Sequence, residues 1–124
     1  MPAERELMLA FEELRLALNR AGYLGLFDAE LHYARYAPGA AYARHVDQPQ
    51  GRAQRRVSLA LYLNDAWEAH EGGELVIFGA AASRREIEPI GGRLVCFRTA
   101  LREHEVLPAR RVRLSISGWF RTRD

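Results

Sequence analysis

Between Ala3 and Arg20 the apolar positions Leu7, Phe11, Leu14 and Leu18 fall at intervals of four, three and four, so they share one face of an amphipathic helix over about 3–20. Gly22 follows where such a helix stops. Beyond it the texture changes to short runs rich in Tyr, Val, Ile, Leu and Phe, punctuated by Pro, Gly and Asn. That rhythm predicts strands near 29–36, 41–47, 55–63, 74–78, 85–89, 93–97, 104–108 and 111–121. The breaks are Pro38-Gly39, Gln48-Pro49-Gln50-Gly51, Gly72-Gly73, Gly79 and Gly91-Gly92. Eight strands after one helix, without helical crossovers, predict a mainly β fold in which a jelly roll or barrel over about 29–121 packs on the N-terminal α-helix. No repeat or linker interrupts the 124 residues, so 1–124 is read as a single domain.

Composition narrows the function classes. Hydrophobic residues at 48% and charged residues at 27% are globular proportions and exclude a disordered chain. Apolar runs such as Leu75–Ala82 fall far short of the roughly 18 residues that a membrane span needs. The charged start, Met1-Pro2-Ala3-Glu4-Arg5-Glu6, lacks the apolar core of a secretory signal, so a cytoplasmic protein without a membrane partner is expected. All 18 basic residues are arginine, yet the net charge is only +2, too weak to argue for nucleic acid. Cys96 has no partner for an internal disulfide and lies in the apolar run Leu94–Phe97, where a buried thiol acts as a small hydrophobe.

Candidate chemistry begins at His45-Val46-Asp47, at the end of a predicted strand. Side chains two apart on a strand share a face, so this imidazole and carboxylate can converge on one ion, although His-x-Asp also occurs as a hydrogen-bonded surface pair. His104 lies 57 residues past Asp47 at the start of another strand and completes a two-histidine, one-carboxylate set. Three ligands on one face leave octahedral positions open, as in non-haem iron(II) oxygenases, whereas structural zinc favours four-coordinate closure, often with thiolates. Arg113 follows His104 by nine residues across Pro108-Ala109-Arg110. If it points inward it needs an anion, and its planar fork suits a carboxylate such as the far end of a dicarboxylic keto acid. If it points outward it joins Arg110 and Arg111 in a solvated stripe.

These residues sit in a wider pattern. Tyr36-x-Pro38-Gly39-x-x-Tyr42-x-x-His45-x-Asp47, Tyr62-Leu63-Asn64-x-x-Trp67, Gly72-Gly73-Glu74-Leu75-x-Ile77-Phe78, Ile87-x-Pro89 and Arg93-Leu94-Val95-x-Phe97 come first. His104-Glu105-Val106-x-Pro108 and Arg113-x-Ser115-x-x-x-Trp119-Phe120 follow in the same order. From about Leu7 to Arg121 the chain resembles the prolyl 4-hydroxylase-type 2-oxoglutarate/Fe(II)-dependent dioxygenases, in the branch of the oxygen-sensing prolyl hydroxylases and their bacterial relatives. The resemblance implies a double-stranded β-helix, with iron held by His45, Asp47 and His104. Arg113 would grip the distal carboxylate of 2-oxoglutarate, Tyr62 would donate to the same group, and Tyr36, Ser58 and Ser117 would lie beside the co-substrate. Arg55 and Trp119 match positions at the substrate entrance.

The implied reaction is hydroxylation of a prolyl residue of a protein or peptide, using Fe(II), 2-oxoglutarate and O2, with ascorbate as a reductant. A hydroxylase of a free amino acid or small metabolite is the alternative, and a catalytically silent metal-binding jelly roll is a third. Nucleic-acid demethylases of this chemistry carry a second arginine six residues after the first, where this chain has Trp119. Two departures stand out. The Tyr36–Tyr42 stretch is one residue shorter and the Asp47–Tyr62 stretch one longer than in relatives. The chain also begins almost at the helix that relatives place after further helices, a strand and a mobile lid, which reads either as a minimal family member without that lid region or as a truncated one.

Other residues receive quieter readings. His32 and His70 lack ligand spacing and are expected to be structural or solvent-facing. Trp67 is expected to be a packing anchor. Arg52, Arg55 and Arg56 form a cluster just after the iron motif, read either as a solvated face or as an overhang of the pocket that touches an acidic or extended peptide.

Overall fold

The computed structural model describes residues 2–22, 24–46 and 54–123. One helix, α1 (Pro2–Gly22), precedes eight strands: β1 (Asp28–Tyr36), β2 (Tyr42–His45), β3 (Arg55–Tyr62), β4 (Leu75–Phe78), β5 (Arg84–Ile87), β6 (Leu94–Arg98), β7 (His104–Val106) and β8 (Arg113–Arg121). Helix and strands fall where the apolar pattern places them. The strand expected over 41–47 runs from Tyr42 to His45 and leaves Val46 outside it, and Asp47 lies outside the described residues. Two single turns of 3-10 helix, Ala69–Glu71 and Thr99–Leu101, are additions, too short to leave a periodic signature.

The strands form two four-stranded antiparallel sheets, ordered β1-β8-β3-β6 and β2-β7-β4-β5, which is the jelly-roll architecture. Strand alternation sends successive side chains of the larger sheet to two different cores. On one face Val57, Leu59, Ile116 and Phe120 pack with Leu26 and Phe11, and Leu7, Leu14 and Leu18 of α1 close over them. Phe11 is 4% exposed, and its burial alone contributes about 1.5–3 kcal/mol. Between the sheets, Tyr62, Leu75, Val95 and Val106 form the second core. The residues that alternate with the helix-facing set, including Ser58, Ala60 and Tyr62 of β3, therefore look into the space between the sheets.

The end of α1 is locked by Asn19, whose Nδ2 donates to Leu26 O at 2.8 Å while its Oδ1 accepts from Leu26 N at 2.7 Å. Among the described residues no helix is long and apolar enough to cross a membrane.

Cys96 departs from expectation. It is exposed rather than buried, because β6 is the outer strand of its sheet and Cys96 pairs with Leu59 on the face opposite Val95 and Phe97. Desolvation by the surrounding side chains nevertheless raises its thiol to about 11.

Candidate functional site

A cavity of about 330 Å³ opens between the two sheets. One wall is the register of β2 against β7, which makes His45 and His104 direct cross-strand partners. Their ring centroids are 4.2 Å apart, with Tyr42 4.1 Å from His45 and Phe97 4.9 Å from His104. Nδ1 of His45 is 2.7 Å from Ala43 O, and Nδ1 of His104 is 3.5 Å from Arg102 O. A carbonyl only accepts, so the short contact of His45 selects the tautomer with its proton on Nδ1 and turns Nε2 to the metal side, whereas the longer contact of His104 is too weak to fix its ring. Among the described residues no third His, Cys, Asp or Glu completes a cluster. Asp47, the expected carboxylate, lies outside them. Two imidazoles paired across adjacent strands with ring centroids 4.2 Å apart fit a facial iron site in donor type.

Arg113 begins β8 and points inward, 4% exposed, as the first of the two readings anticipated. Its Nε donates to Gly73 O at 2.8 Å and its NH2 approaches the Tyr62 hydroxyl at 3.4 Å. The guanidinium lies 5.4 Å from the Tyr36 ring centre and 5.1 Å from that of Tyr62. Among the described residues no carboxylate pairs with it. Ring faces and one carbonyl offset only part of the cost of a buried cation, so the cavity is primed for an anion.

Tyr62 is 1% exposed, and burial raises its phenol above the ordinary value despite the opposing pull of Arg113. It therefore stays protonated. Because Arg113 donates toward its oxygen, the phenol proton remains available for an acceptor in the cavity.

The surrounding chain holds this wall in place. Asn64, 3% exposed, donates to Pro89 O at 2.8 Å and accepts from Leu114 N at 2.7 Å, pinning the backbone beside Arg113. Trp67 is buried, with its indole donating to Gly72 O at 3.1 Å, and is the packing anchor expected of it.

The alternation of β8 brings Ser115, Ser117 and Trp119 to the same cavity as Arg113. Ser117 Oγ is 2.9 Å from Ser115 Oγ, and Ser58 Oγ is 3.0 Å from the fully buried Thr99 Oγ1. The anticipated Tyr36, Ser58 and Ser117 thus line the cavity. Ser115 joins this wall without a role implied by the family pattern, through its period-2 position two residues from Arg113. His32 is exposed, as expected of it, at the open side of this wall. It lines the cavity, with its ring 6.2 Å from that of Trp119, because it pairs with Ser117 and alternates with Ala34 and Tyr36. His70 is exposed beside Glu68, as expected.

Arg55 and Trp119 meet at one end of the cavity. The guanidinium lies 3.7 Å over the indole and pairs with Glu30 through Nε at 3.0 Å and NH2 at 2.8 Å. Trp119 Nε1 is buried and meets no acceptor among the described residues. The expected overhang of three arginines is corrected here. A register shift between Arg55 and Val57 turns Arg56 away, so that its Nε reaches Thr122 Oγ1 at 3.5 Å, and Arg52 lies outside the described residues.

The profile of the 2OG-Fe(II) oxygenase superfamily matches residues 31–121. Among curated proteins, Egl nine homolog 1 of Rattus norvegicus is 41% identical over 85 residues, which is 66% of this chain and 25% of that protein. A PKHD-type hydroxylase of Picosynechococcus sp. is 37% identical over 93 residues, covering 74% of this chain and 42% of its own. The chain thus spans less than half the length of these two relatives. Among solved structures, a Pseudomonas putida prolyl-4-hydroxylase superposes with a TM-score of 0.90 at 48% identity, over 94% of this chain and 65% of that one. A Trichoplax adhaerens prolyl hydroxylase, in complex with a hypoxia inducible factor oxygen degradation domain peptide fragment, superposes at 0.86 with 31% identity, over 96% of this chain and 56% of its own. With the jelly roll, the paired histidines and the profile match over most of its length, this chain belongs to the 2OG-Fe(II) oxygenase superfamily.

Proposed function

We propose that this domain is an iron(II)- and 2-oxoglutarate-dependent dioxygenase that hydroxylates a prolyl residue of a protein or peptide. The observation that carries the reading is Arg113: a buried guanidinium without a carboxylate partner among the described residues, sharing one cavity with His45 and His104. Similarity to the Egl nine protein and to the two solved prolyl hydroxylases supports the prolyl substrate.

In this reading His45, Asp47 and His104 hold the iron. Arg113 and Tyr62 receive the distal carboxylate of 2-oxoglutarate, one as a fixed cation and the other as a neutral donor. Tyr36, Ser58 and Ser117 flank the co-substrate, while Leu75, Phe97 and Val106 supply apolar walls that keep water from the reacting centre. When bound, iron, 2-oxoglutarate and O2 supply oxidative decarboxylation to succinate and carbon dioxide coupled to C–H hydroxylation. Trp119 and Arg55 contact the substrate at the entrance. Ascorbate as a reductant and a cytoplasmic setting, which suits ferrous iron, belong to the same reading.

The test is anaerobic titration with Fe(II) and 2-oxoglutarate, followed by succinate release with prolyl peptides and with free proline. The wild type develops the visible metal-to-keto-acid charge-transfer band, and H104A loses it. Absence of the band in the wild type leaves only a silent jelly roll, and turnover of free proline alone moves the substrate to small molecules.

A further inference from the structure

Four arginines from four separate segments line a second, open cavity of about 750 Å³: Arg15 of α1, Arg56 of β3, Arg98 at the end of β6 and Arg123 beyond β8. Arg15 is the settled member, paired with Glu12 and donating to Leu26 O. Arg56, Arg98 and Arg123 are exposed and form no ion pair among the described residues. Arg56 reaches the Thr122 hydroxyl at 3.5 Å, and Arg123 lies 4.2 Å from the centre of the Phe27 ring. Like charges gathered around one concavity repel unless an anion shares them. The cavity also carries apolar surface, because Leu24 and Phe27 line it and Phe27 is 49% exposed.

Position ties this cavity to the first. Arg55 and Arg56 are consecutive, so their Cα atoms are about 3.8 Å apart, and the register shift at this point decides which faces Trp119 and which faces the arginine cavity. Thr122 and Arg123 likewise follow directly on the strand that carries Trp119. The two cavities open on opposite faces of the larger sheet, so a chain reaching from Trp119 to Arg56 passes round the sheet end where Thr122 N donates to Gln54 O at 2.9 Å.

We propose that the Arg56–Arg98–Arg123 cavity docks an acidic segment of the polypeptide substrate, adjacent in sequence to the residue that reacts. The inference rests on the polypeptide-hydroxylase reading above and adds what that polypeptide must carry: carboxylates for the guanidiniums and an apolar side chain for Phe27 and Leu24. An inorganic anion would use the charges alone and leave the apolar surface uncovered, which is why a peptide is the better complement.

The experiment uses the whole chain without iron or 2-oxoglutarate, so that binding is read apart from chemistry. The probe is a fluorescein-labelled glutamate-rich peptide containing one phenylalanine, followed by fluorescence anisotropy at low salt. The wild type binds it, and R56A/R98A/R123A weakens binding by about tenfold or more. R35A/R85A/R102A, which removes equal charge from other exposed positions, binds as the wild type does. Replacing the glutamates by glutamine abolishes binding, and replacing the phenylalanine by alanine weakens it.

Failure of the wild type to bind, or equal weakening by the two triple variants, overturns the inference. Competition by tripolyphosphate together with indifference to the phenylalanine also overturns it, since the cavity would then be a small-anion site. In a second arm, succinate formation on a neutral prolyl peptide is unchanged in R56A/R98A/R123A while KM for an acid-flanked prolyl peptide rises about tenfold. Probe binding that is sensitive to these arginines, with no turnover of any prolyl peptide, keeps the acidic docking site and removes the hydroxylase reading, so the two failures are distinct.

Discussion

Arg113 and Gly73 are joined by a hydrogen bond in which the guanidinium Nε donates to the glycine carbonyl at 2.8 Å, tying the start of β8 to the turn before β4. Gly73 has φ +72, and a Cβ there would lie 3.0 Å from Trp67 Cζ2, 3.1 Å from Ala109 Cβ and 3.3 Å from Arg113 Cδ. The turn therefore needs glycine twice over, for its backbone conformation and for the space that the arginine stem occupies. We expect G73A to lose about 1–3 kcal/mol in urea unfolding and to raise KM for 2-oxoglutarate several-fold. G92A, where φ is +86 and nothing lies within 4 Å, should show the strain without the KM change. Equal KM values in the two variants would remove the role given to Gly73.

Removing Arg113 itself should act on co-substrate affinity. R113Q keeps hydrogen-bonding atoms but no charge, and truncating one partner of a buried charged pair costs about 2–5 kcal/mol, or roughly 30-fold to several-thousand-fold in Kd. Calorimetric titration with 2-oxoglutarate reads this directly. R113K should recover only part of the loss, since ammonium cannot match the planar fork. An R113Q protein that binds 2-oxoglutarate like the wild type would end the anchor assignment.

Tyr62 makes a prediction about pH. Burial raises its phenol above the ordinary value near 10, so the folded state holds this proton more tightly than the unfolded chain. Its contribution to stability is complete below the ordinary phenol pKa and is lost as pH rises through the raised one. Across neutral pH the hydroxyl is a constant donor. Y62F should then weaken 2-oxoglutarate binding by about 0.5–1.5 kcal/mol at every pH from 6 to 9, a range free of Tyr62 ionisation. Affinity for 2-oxoglutarate that changes with pH in the wild type and not in Y62F would contradict this.

Asn19 tests the scaffold apart from the site. Its side chain makes two hydrogen bonds to the backbone of Leu26, a residue only 2% exposed. N19A leaves the sheltered Leu26 N–H without this partner, while the Leu26 carbonyl keeps the Arg15 guanidinium, at a cost of about 1–3 kcal/mol. Chemical denaturation should show that loss while KM for 2-oxoglutarate stays unchanged, because Asn19 lies on the helix side of the larger sheet.

Much of the molecule was legible before any coordinates. Leu7, Phe11, Leu14 and Leu18 announced the helix face that closes the first core, and all eight strands stand where the apolar runs and their Gly and Pro breaks put them. The family motifs gathered His45, His104, Arg113, Tyr62, Tyr36, Ser58, Ser117 and Trp119, and one cavity holds all eight. These features are local: helix period, strand alternation and turn chemistry depend on neighbours within a few residues.

What tertiary structure alone decided is which strands lie side by side and how they are shifted. The pairing of β1 with β8 put His32 in the cavity beside Ser117, and the outer place of β6 left Cys96 exposed instead of buried. The shift between Arg55 and Val57 decided which of two consecutive arginines faces Trp119 and which faces Arg15, Arg98 and Arg123. Register depends on hydrogen bonds between residues far apart in the chain, and one residue of slip exchanges the two faces of a strand, so no local pattern contains it.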